Sequence, residues 1–152
     1  REALRGIPHH GIGRGFKVSK EEIVGLLVAL ERFATRDHAA DQARQEAWLA
    51  AIRDRLAEAR RFLQGRLLSA AETGRDPLLE IRVDETALGI SAFALSLALQ
   101  QGEPPVHLGE RKAAQGILII NPVGLRDGDA EIIATRLCAV LQDKGVRDAR
   151  TA

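Results

Sequence analysis

The sequence predicts an α+β fold: a two-helix N-terminal arm followed by a small β-α-β-β-α domain. Three observations carry this reading. Ser19-Lys20-Glu21-Glu22 is an S-x-x-E capping box that opens an apolar run. Trp48, Leu49, Ile52, Leu56, Ala59 and Leu63 recur at three- and four-residue spacing, the mark of a helix face. Beyond residue 77 the period changes, and Leu79, Ile81 and Val83 alternate with Glu80, Arg82 and Asp84 as in a half-buried strand.

Residues 1–18 form a glycine-rich loop that leads into the first helix, which spans Ser19 to Arg36. From Ile23 to Leu30 this helix has almost no polar face, so it asks for a neighbouring domain or subunit. Gly25 and Ala29 stand four apart and allow close backbone approach. A second helix is expected from Asp41 to Gln64, with Gly65 as its stop, so that residues 19–65 make the helical arm. Residues 66–77 are rich in turn formers and mark a domain boundary.

The small domain is expected over residues 76–143. After the strand at 79–84, Ser91 can cap a helix running to Gln101, and Gly102 and Pro104 end it. Val106-His107-Leu108 reads as a short strand and Gly116–Ile120 as a buried one, joined as a hairpin. Asp127 or Asp129 caps a last helix carrying Ile132, Ile133, Leu137, Val140 and Leu141. Residues 144–152 are a charged tail expected to fray.

Net charge is +1, so no strong field favours nucleic acid or an anionic membrane. The arginines of the second helix are interleaved with Asp54 and Glu58, which reads as a solvated face. One cysteine excludes an internal disulfide and fits a reducing, cytoplasmic setting. No run approaches the roughly 18 apolar residues of a membrane span. The absence of methionine hints at truncation or processing.

Gly11, Gly13 and Gly15 precede a helix N-terminus flanked by Arg14, Lys17 and Lys20. Free backbone N–H groups and cationic side chains there suit a phosphate or carboxylate. A flexible linker entering a helix is the alternative. The glycine spacing fits neither a dinucleotide fingerprint nor a Walker A loop. His9 and His10 lack the acidic or thiol neighbours of a metal site, so no metal is expected. Paired carboxylates and a nucleophile elbow are also missing, and none of the four lysines stands in a setting typical of a Schiff base.

The run Gly13-Arg14-Gly15-Phe16-Lys17-Val18-Ser19-Lys20-Glu21-Glu22-Ile23-Val24-Gly25-Leu26-Leu27 resembles the selenocysteine synthase (L-seryl-tRNA selenium transferase)-like family. It is closer to the D-glucosaminate-6-phosphate ammonia-lyase-like branch. Leu99-Gln100-Gln101-Gly102-Glu103-Pro104-Pro105-Val106 resembles a second motif of that family, and Gly116–Ile119 and Leu125–Asp129 fit its final strand and helix. The resemblance implies pyridoxal-phosphate chemistry and the aspartate aminotransferase fold (fold type I). It implies that this chain is the C-terminal part of such an enzyme. The large cofactor domain and its Schiff-base lysine would then lie upstream of Arg1, with no catalytic residue in this chain. The apolar helix would link the large and small domains, and residues 76–143 would be the small one. Arg14 matches the arginine of the family motif. The candidate anion, substrate or cofactor-phosphate residues are therefore Arg14, Lys17, His10, Gly13 and Gly15.

The implied activity is that of a lyase or transferase on a small amino-acid or amino-sugar substrate, in a homo-oligomer built through the Ser19–Arg36 helix. The near-neutral charge favours the lyase over a tRNA-dependent enzyme. The competing reading is a stand-alone, non-catalytic α+β module for oligomerisation or ligand binding.

Overall fold

Ser19 closes the expected capping box. Its hydroxyl accepts from the Glu22 N–H at 3.2 Å, and the Glu22 carboxylate accepts from the Ser19 N–H at 2.7 Å. The computed structural model describes residues 16–148, and the chain divides into two compact units, 1–38 and 39–152. In the first, α1 runs Lys20–Thr35 between Ser19 and Arg36, within one residue of the sequence expectation, and none of its residues is buried. His38 turns back on it, its Nε2 2.9 Å from the Phe33 carbonyl.

The second unit takes up α2 (His38–Leu56). Its stripe Leu49, Ile52 and Leu56 is fully buried in the core, and Trp48 packs on the same cluster. The expected 19–65 arm therefore does not hold together, because the stripe of α2 belongs to the sheet's core. The division falls at His38 instead of 66–77.

Three strands form an antiparallel sheet in the order β1 (Leu63–Leu68), β2 (Leu78–Val83), β3 (Ile117–Ile120). β1 corrects the sequence reading, which extends the second helix to Gln64. A 3-10 turn at Ala57–Ala59 ends the helical path, and the next residues pair with β2 from Leu63↔Val83 to Leu68↔Leu78. Gly65 is thus no helix stop. A Cβ there would lie 3.1 Å from Arg53 Cγ, so the glycine leaves room for the arginine stem. The domain accordingly begins well before residue 76.

Ser69 and Glu72 close a second capping box on α3 (Ala70–Thr73). The Ser69 backbone N–H, then its hydroxyl, hold the Glu72 carboxyl below the usual carboxylate range, with Arg66 adding to the effect. Asp84 caps α4 (Glu85–Leu88) and Ser91 caps α5 (Ala92–Gln100), the latter as expected.

Val106–Leu108 is not a strand, which is the second correction. The Val106 N–H turns back to the Leu99 carbonyl at 3.0 Å, and only Gly109 reaches the sheet, exchanging both backbone bonds with Ile119. The order is β-β-α-β-α, not β-α-β-β-α, and no parallel crossover exists among the described residues. α6 spans Asp129–Asp148, so helix continues into the expected tail. Its first bond runs from the Ile132 N–H to the Gly128 carbonyl, which puts Gly128 at the cap in place of Asp127 or Asp129.

The inward face of the sheet carries Leu63, Leu79, Ile81, Val83, Leu118 and Ile120. They pack with Leu95 and Leu99 of α5 and Leu137 of α6. The other face carries Gln64 and Arg66 opposite Arg82 and Glu80.

Candidate functional site

The residues singled out from the sequence are not brought together among the described residues. His10, Gly13, Arg14 and Gly15 lie outside them, and Lys17 is exposed just ahead of the α1 cap. His107 is exposed, and no group of three or more His, Cys, Asp or Glu is placed to hold a metal ion among the described residues. Cys138 borders a cavity of about 310 Å³ with Phe62 and Leu141, and burial pushes its thiol pKa up, away from nucleophilic use.

A wider concavity than the one at Cys138 lies elsewhere, at the end of β2. It is a cleft of about 520 Å³ whose lining includes Gln64, Arg82, Asp84, Glu85, Thr86 and Gln115. Gln64 and Arg82 are cross-strand partners in the sheet. Asp84 and Glu85 follow directly where β2 breaks into α4. Each carboxylate has one oxygen committed: Asp84 Oδ1 accepts from the Ala87 N–H at 2.9 Å, and Glu85 Oε1 accepts from the Ala92 N–H at 2.7 Å.

The far wall is the turn Ala113–Gln115 with Gly116. Two polar anchors fix this wall. Buried Ser96 donates to Glu110 Oε1 at 2.7 Å, and Lys112 Nζ stands 2.6 Å from Glu80 Oε1. Gly116 sits at φ +72°, and a Cβ there would meet the Val83 carbonyl at 3.3 Å. Gly116→Ala is expected to lower stability by roughly 1–2 kcal/mol through left-handed strain. A fall in the urea midpoint would report it, and an unchanged midpoint would show that the turn relaxes freely.

Sequence reasoning missed this cleft. Gln64 reads as a helix end, and Arg82 and Asp84 as the wet side of a strand. Only the register of β1 on β2 sets Gln64 beside Arg82.

Pyridoxal phosphate, which the resemblance implies, needs a lysine amine and donors for its phosphate. The cleft has no lysine, and Lys112 is tied to Glu80. The described residues do not by themselves fit that cofactor.

No family model matches the chain. It is 29% identical over 132 residues to D-glucosaminate-6-phosphate ammonia lyase of Salmonella typhimurium (strain 14028s / SGSC 2262), covering 85% of this chain and 34% of that protein. It is 30% identical over 141 residues to 5'-C-glycyluridine monooxygenase-decarboxylase of Streptomyces sp, covering 90% of this chain and 34% of that one. A solved structure of D-glucosaminate-6-phosphate ammonia-lyase superposes with a TM-score of 0.65 at 26% identity, over 90% of this chain and 36% of that chain. Two of these three matches across most of the chain are thus to the ammonia lyase whose branch the Gly13–Leu27 and Leu99–Val106 motifs resemble, and the third is to a monooxygenase-decarboxylase. The chain spans about a third of the length of the curated relatives it matches.

Proposed function

We propose that this chain is the C-terminal portion of a pyridoxal-phosphate-dependent lyase or transferase. Its second unit then corresponds to the small domain of an aspartate aminotransferase fold. The observation that carries this reading is the lopsided coverage: nearly the whole chain matches, yet it fills only 34–36% of each relative. The cofactor and its lysine are then supplied by a large domain outside residues 1–152. The substrate is a small amino-acid or amino-sugar compound, in keeping with the relatives' names. No helix among the described residues is long and apolar enough to cross a membrane, and the proposed setting is the cytoplasm. The near-neutral charge argues against a tRNA substrate. Arg14 and Lys17, with His10, Gly13 and Gly15, remain the proposed anion-binding residues at the α1 entrance. The working form is a homo-oligomer joined through the Ser19–Arg36 helix.

The test compares this chain with the complete reading frame that contains it. The complete protein is expected to bind pyridoxal phosphate stoichiometrically, to be fixed by borohydride at one lysine outside residues 1–152, and to release ammonia from D-glucosaminate 6-phosphate or a related amino acid. The 152-residue chain is expected to do none of the three. Stoichiometric fixation at Lys17 or Lys112 of this chain would overturn the proposal.

A further inference from the structure

We draw no further inference here: the strongest candidate, the outer edge of the sheet along β1 (Leu63–Leu68), is a strand edge without a pairing partner, and nothing in the structure shows what covers it.

Discussion

Replacing Ile81 with alanine is expected to lower the stability of the second unit by roughly 2–5 kcal/mol. Ile81 is fully buried at the centre of β2. In β1 it faces Gly65, which has no side chain to move into a void, and in β3 it faces fully buried Leu118. The helix side is filled by Leu95, Leu99 and Leu137, all fully buried, so little can collapse inward. A cavity therefore remains and adds to the lost transfer free energy. For a domain with a total stability of about 5–15 kcal/mol this is a large fraction. Urea unfolding followed by far-ultraviolet circular dichroism should show a lower midpoint with an unchanged slope. Val123→Ala is the control, because Val123 is 59% exposed and should move stability by no more than about 0.5 kcal/mol. Equal effects of the two substitutions would refute the placement of the core.

The elements legible in the sequence are those whose signal is local. A capping box needs four residues, and Ser19–Glu22 sets the start of α1 without help from the rest of the chain. Ser91 does the same for α5, and the alternation at 79–83 shows β2. β1 was hidden for two physical reasons. Leu56 and Leu63 are seven apart, so Leu63 extends the helical stripe as well as it opens a strand. Gly65 removes one of the inward side chains that would have displayed a period of two. Pairing with β2 decides between the readings, and that pairing is tertiary. At 106–108 the local alternation misleads in the other direction, because the Val106 amide is already used by the Leu99 carbonyl.

The candidate site follows the same division. Glycines and cations ahead of α1 are visible as a run within residues 10–17. The cleft is assembled from positions 64, 82–86 and 114–116, so no spacing in the sequence announces it. Its acidic residues also look ordinary one at a time. Asp84 reads as a helix cap, which it is, and only the structure shows that it lines one cleft with Arg82 and Gln64.

The chain is expected to self-associate through α1. Ile23, Val24, Leu26, Leu27, Val28, Leu30 and Phe33 range from 44% exposed at Val28 to 66% at Phe33. Successive helix positions turn by about 100°, so these residues surround the axis instead of lining one stripe. Full burial of each such side chain is worth roughly 1.5–3 kcal/mol, and a single helix contact that covers the exposed half of about four of the seven gives on the order of 3–6 kcal/mol per chain. A pair of helices gains from both copies, which exceeds the low end of the association cost of about 4–15 kcal/mol. A twofold dimer with micromolar affinity is the simplest product. Gly25 has nothing within 4 Å of where a Cβ would stand, so backbones can approach closely there. Sedimentation across micromolar concentrations measures the association. Val24→Glu and Val28→Glu lie on one face, keep a strong helix former, and place a charge in the contact. Both variants should sediment as monomers with undiminished helical dichroism. A parent chain that stays monomeric at high micromolar concentration, with α1 folded, would show that this apolar surface is stable in water and that the proposed subunit contact lies elsewhere.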